Sequence, residues 1–151
     1  MKSFALLAGA LLLAACARTA PEHEAVAAAP PVASDYSLFD IDAAWHDQHD
    51  AARTLASLAG KPVVLAMVYT HCTATCPLSV AQMQRIEREV GDDASFVLVT
   101  LDPERDTSEQ LRAFAAEHDL DPARWTLLRG SEASVRELAA VIGVRYRSID
   151  A

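Results

Sequence analysis

Pro62-Val-Val-Leu-Ala-Met-Val-Tyr69, followed without a break by Thr70-His-Cys72-Thr-Ala-Thr-Cys76-Pro77, is the stretch on which the fold turns. Its first eight residues are apolar almost throughout, which predicts a strand buried on both faces, as in a parallel sheet. Pro77 suits the first turn of a helix, where its missing N–H costs nothing. Beyond it Ser79, Met83, Ile86 and Val90 recur at helical spacing, with Gln82, Gln84, Arg85, Glu87, Arg88 and Glu89 largely opposite, and Gly91 stops the run. Strand, cysteine turn and helix thus form one unit with two thiols at its joint.

The alternation continues downstream. Ser95 to Leu101 predicts a second buried strand, and Thr107 with Gln110 has capping-box spacing before a helix carrying Leu111, Phe114 and Ala115. Trp125 to Leu128 predicts a third short strand. Ser131 caps a helix whose Val135, Leu138, Ala139 and Ile142 share a face, and after Gly143 another strand starts at Val144 to Tyr146. Upstream, Leu38, Phe39 and Ile41 predict a first strand. Trp45 to Thr54, with Asp47, Gln48, His49 and Asp50 at its middle, predicts a turn-bearing excursion, and Leu55 to Leu58 a helical turn before Gly60. The expected fold is α/β with a mainly parallel central sheet. Ligands of such sheets gather at the carboxyl ends of strands, where Cys72, Cys76 and the segment Asp102 to Thr107 fall. Met67 and Trp125 are expected in the core.

The front of the chain sets the compartment. Lys2, the apolar run Phe4 to Ala14 and the sequence Leu13-Ala-Ala-Cys16 are similar to a bacterial lipoprotein signal, too short to cross a membrane comfortably. Residues 1–15 are read as the signal and Cys16 as the lipid-bearing residue, which anchors the chain to a membrane and removes one of its three cysteine sulfurs as a ligand. Residues 16–35, rich in Ala and Pro, are read as a tether in which His23 is solvated. One domain then occupies 36–151, facing the periplasm, an oxidising space in which an idle thiol pair tends to become a disulfide. The formal charge of −8 becomes −9 once Lys2 leaves with the signal, which argues against nucleic acid as a partner.

Cys72 and Cys76 stand four residues apart, a spacing that on a helix puts β-carbons about 6 Å from one another. That is within reach of a shared metal, and a slightly tighter loop allows a disulfide. Two thiolates suit copper(I), whereas zinc usually takes four protein ligands. Pro77 disfavours helical backbone at Cys76, so Cys76 is expected as a cap residue whose sulfur feels the positive helix end and ionises readily. A disulfide that merely braces so short a loop recovers little chain entropy.

Four segments in order carry a resemblance: Tyr69-Thr-His-Cys72-x-x-x-Cys76-Pro77, Leu101-Asp-Pro-Glu-Arg-Asp-Thr107, Trp125-Thr-Leu-Leu-x-Gly130 and Ile142-Gly-Val-x-Tyr146. Together the chain resembles the Sco/SenC family of thioredoxin-like copper-handling proteins. The resemblance implies a thioredoxin-like fold, copper bound by Cys72 and Cys76, and delivery to the dinuclear copper subunit of a cytochrome c oxidase. It also implies a periplasmic thiol reductant as partner, and thiol reductase activity in some members. The family completes its copper site with a histidine well downstream of the Gly-Val-x-Tyr segment, and none of the five histidines here takes that place. The expected domain is therefore incomplete at its C-terminus, without the terminal strand pair and closing helix, and with an open, apolar sheet edge.

The remaining candidates have plainer readings. His71 is weighed as a third copper ligand against a loop-surface role, since a residue next to Cys72 tends to point elsewhere. His46 and His49 read as solvated turn residues and His118 as a helix-end residue. Asp102, Arg105 and Asp106, beside the cysteine loop, either tune thiolate stability or form a docking surface, or else make a proline turn in which Asp106 or Thr107 caps the next helix. Two functions follow, a copper chaperone or a thiol-disulfide oxidoreductase working through Cys72 and Cys76.

Overall fold

A computed structural model describes residues 36–72 and 75–146. The signal, the tether with His23, Cys16, and residues 73–74 and 147–151 lie outside the described residues. Five strands form one sheet: β1 (Trp45–Asp47), β2 (Ala52–Arg53), β3 (Val63–Val68), β4 (Ser95–Thr100) and β5 (Trp125–Arg129), in the order β2-β1-β5-β4-β3. Strand β4 runs parallel to β3 and β5, while β1 is antiparallel to both β2 and β5. The expected α/β fold is present, and its sheet is mixed because the Trp45–Thr54 excursion is a hairpin that joins it.

Alternation along β4 sets the two cores. Phe96 and Leu98 face one side, with Leu127 and with α1 (Thr75–Val90) and α2 (Ser108–Glu117) packed over them through Val80, Met83, Leu111 and Phe114. Val97 and Val99 face the other side, under α3 (Glu132–Val141), Trp45, Leu55 and Ile41. Each such buried aliphatic or aromatic side chain contributes about 1.5–3 kcal/mol relative to exposure. The predicted caps form as expected: Thr107 and Gln110 make both arms of a capping box, and Ser131 accepts from the Ser134 amide.

Several expectations are corrected. Leu38, Phe39 and Ile41 do not make a strand; Leu38–Asp40 is a 3-10 turn because Ser37 and Asp40 cap it reciprocally. Among the described residues strand β3 pairs with β4 alone and stands at the sheet's edge, and five of its six apolar residues are only half-buried. Continuous apolarity reports a wish for burial, not how many neighbours a strand finds. In α1 the core stripe runs through Cys76, Val80 and Met83, leaving Ile86 39% exposed. Val144 to Tyr146 carries no strand.

Asp47 and Gln48, read as turn residues, are buried. Gln48 works as an extra rung of the sheet: its Nε2 donates to the Trp125 carbonyl at 3.1 Å, and its Oε1 accepts from the Leu127 amide at 2.9 Å. Asp47 closes the hairpin, accepting from the His49 amide at 2.8 Å, the Ala51 amide at 3.0 Å and Arg53 Nε at 2.9 Å. Burial alone pushes its pKa up, but the Ala51, Arg53 and His49 donors outweigh burial and hold it below the usual value. A carboxyl with a depressed folded pKa contributes stability that is present above the unfolded value, near 3.9, and is lost as pH falls through the folded one. Asp47→Ala should therefore destabilise the chain by about 2 kcal/mol or more at neutral pH. Urea unfolding at pH 7 and pH 3 checks this, because the gap between variant and wild type should shrink in acid.

Candidate metal centre

Strand β3 delivers the sulfur pair, and its last ladder rung is the Leu101 amide donating to the Val68 carbonyl at 2.9 Å. Past that rung the chain leaves the sheet. The Cys72 amide donates back to the Tyr69 carbonyl at 3.2 Å, so Tyr69 to Cys72 forms a tight turn. Helix α1 starts at Thr75, with Pro77 inside its first turn as the sequence indicated.

The sequence expectation for Cys76 is corrected. It is a helical residue, 6% exposed, in the core stripe of α1 rather than at a cap. Burial is the main cause that pushes its thiol above the usual range; the Tyr69 amide, which donates to Cys76 Sγ at 3.5 Å, opposes this, while a hydrogen bond to Cys72 adds to it. The sulfur that receives the helix end is Cys72. Its Sγ accepts from the Cys76 amide at 3.4 Å, one of the free N–H groups of the first turn of α1, and lies 3.4 Å from Thr75 Oγ1. Pro77 biased the reading toward a cap at position 76, but the helix starts at Thr75 and so aims the Cys76 amide at position 72. Cys72 is half-buried and Cys76 buried, so iodoacetamide at pH 7 should label Cys72 first, as peptide mass spectrometry will show.

His71 is turned to the neighbouring loop. Its Nδ1 lies 3.0 Å from Thr70 Oγ1 and 3.4 Å from Asp106 Oδ1, and its Nε2 3.6 Å from Asp102 Oδ2. Among the described residues no group of three or more His, Cys, Asp or Glu side chains is arranged to hold a metal ion. His46 lies exposed in β1 and His49 exposed in the hairpin turn. His118 is the C-cap of α2, its ring 4.4 Å from that of Phe114. Met67 is half-buried against the α3-side core, and Trp125 is buried and stacked on Phe96 at 5.0 Å.

In the loop after β4 the turn and helix cap of one reading are present. Thr107 caps α2, and Asp106 does not. Asp106 is fully buried, and its carboxylate accepts from the Thr70 amide at 3.1 Å, the Thr70 hydroxyl at 2.5 Å and the Thr100 hydroxyl. Asp102 is held by Arg105 Nε at 2.5 Å, and its amide donates to Thr100 Oγ1 at 2.9 Å. Thr70 and Thr100 are the residues that sequence reasoning missed. Each follows or ends a strand and offered no local signal.

The sequence model of the SCO1/SenC family matches residues 30–151. The chain belongs to the SCO1/SenC family. It is 30% identical to the SCO1 protein homolog of Bacillus subtilis (strain 168) over 90 residues, which are 57% of this chain and 47% of that protein. Among solved structures, that of Bradyrhizobium japonicum ScoI with copper bound is similar at a TM-score of 0.63 and 28% identity, covering 72% of this chain and 69% of that one. The structure of BsSco, described as a Sco-family cytochrome c oxidase assembly protein with a disulfide switch, matches at a TM-score of 0.62 and 25% identity, covering 70% and 64%. The thioredoxin-like α/β fold of the family is therefore the fold of this chain. The chain spans about half the length of the curated relatives it matches.

Proposed function

We propose that this SCO1/SenC chain is a membrane-tethered copper chaperone that carries copper(I) on Cys72 and Cys76 and delivers it to the copper site of a cytochrome c oxidase subunit. One observation carries the reading: two soft donors sit at the carboxyl end of β3, joined through the Cys76 amide, which donates to Cys72 Sγ at 3.4 Å. Soft thiolates at low coordination number select copper(I). The copper-bound ScoI and the oxidase-assembly description of BsSco point the same way. Loading releases the thiol protons of the pair, and the cargo then passes by ligand exchange to the recipient's own donors without change of oxidation state. An oxidised pair must be reduced first, which takes two electrons and two protons from two thiols of a periplasmic reductant, themselves left as a disulfide. Acylation of Cys16 would tether the domain to a bacterial membrane, in keeping with the signal-like residues 1–15.

A second reading is favoured by the unequal exposure of the pair. In a thiol-disulfide oxidoreductase the Cys72 thiolate attacks a target disulfide and one target thiolate leaves. Cys76, once deprotonated, then attacks the Cys72 sulfur and frees the second. The target gains two electrons and the pair closes to a disulfide. The two readings separate in one anaerobic titration of the reduced protein with copper(I) against a competing chelator. Stoichiometric binding supports the chaperone. Absence of binding, with turnover of a disulfide substrate, supports the exchange enzyme.

A further inference from the structure

We propose that Asp106 is a positioning residue for the sulfur pair, reaching across from the loop after β4 to hold the turn that carries Cys72. The proposal deepens the chaperone reading and takes its functional meaning from it. Where the chain leaves the sheet after Val68, each amide up to the turn must find an acceptor. The Tyr69 amide takes Cys76 Sγ, the Thr70 amide takes Asp106, and the Cys72 amide returns to the Tyr69 carbonyl. The path of residues 69–72 is thus defined by one sulfur and one carboxylate. Thirty-six residues separate Asp106 from Thr70, so the contact is wholly tertiary. The carboxylate is sealed from solvent, accepts from both Thr70 donors and from Thr100, and does not cap its own helix. Capping and solubility therefore do not account for it. Removing it leaves the half-buried Thr70 amide and the Thr70 and Thr100 hydroxyls without that acceptor, and the turn is then free to move Cys72 off the N-terminus of α1.

The two sulfurs meet in a disulfide or on a metal only as often as the loop holds them together, which is the sense in which a supporting residue preorganises a site. The test uses the full chain with Cys16→Ser, so that two thiols remain. Its deciding readout is the dithiol–disulfide equilibrium in glutathione buffers, with far-UV circular dichroism as the check of fold. Asp106→Ala is expected to shift that equilibrium by about tenfold or more, the scale of a lost hydrogen bond to a charged group. Asp106→Asn is expected to stay near wild type. Its amide oxygen accepts from the Thr70 amide and the Thr100 hydroxyl, and its NH2 donates to Thr70 Oγ1, whose own proton is then free for His71 Nδ1. Thr70→Val keeps shape and backbone and loses one of the bonds. It should give a smaller shift in the same direction, and it serves if Asp106→Ala does not fold. A folded Asp106→Ala, or failing that Thr70→Val, with the wild-type equilibrium overturns the proposal. So does an Asp106→Asn shift as large as that of Ala. Copper(I) titration of the same proteins is a separate axis. A wild type that binds no copper while the equilibrium responds to Asp106→Ala sinks the chaperone reading and leaves the positioning role standing.

Discussion

Serine at either position 72 or position 76 should abolish copper(I) binding in chelator competition, with a loss of affinity well beyond 100-fold. Substituting a residue that only supports a metal ligand already costs about 10–100-fold, and here a ligand itself goes. Serine keeps the size and the hydrogen bonds of cysteine, but its oxygen is a hard donor that stays protonated, so the soft cation loses one of two partners. The fold should tolerate Cys72→Ser, since that side chain is half-buried. Cys76→Ser puts a hydroxyl into the stripe that Cys76 shares with Val80 and Met83, so its thermal stability should fall as well. Cys16→Ser is the control and should leave binding unchanged. Equal copper(I) affinity in wild type and both variants would remove the sulfur pair from the site.

The second large effect is expected at Gly130. A β-carbon built there would lie 2.8 Å from two ring carbons of Trp45 and 3.3 Å from the β-carbon of Ser134. The Trp45 ring cannot yield easily, because it is fully buried between the sheet and α3. Gly130→Ala should cost about 1–3 kcal/mol through overpacking, lowering Tm by roughly 4 °C or more. The smaller ring of Trp45→Phe should relieve part of that, giving a coupling of about 0.5–3 kcal/mol in a double-mutant cycle. Additive losses would mean that contact with Trp45 is not the reason for glycine. The Trp125-Thr-Leu-Leu-x-Gly130 pattern thereby gains a physical cause: β5 must be followed by a residue small enough to admit a tryptophan from β1.

Local chemistry made much of the chain legible. Period and apolarity announced β3, β4, β5 and the three helices, and caps at Thr107 and Ser131 formed where their spacing placed them, because these signals act over a few residues. The short pieces were less legible. Ser37 and Asp40 turned an apolar triplet into a 3-10 turn, and Asp47 and Gln48 went inside because distant or hairpin donors satisfied them.

What the sequence by itself determined is the chemistry on offer: two thiols four residues apart between a strand and a helix, with a family resemblance that the fold upholds. Tertiary structure alone decided how that chemistry is arranged. It left β3 at the edge of the sheet among the described residues, gave an α1 amide to Cys72, raised the Cys76 thiol by burial, and brought Asp106 to Thr70. The reason is physical. Propensity, period and capping are summed along neighbouring residues, whereas burial and the partner of a buried polar group depend on which distant segments the closed sheet brings together.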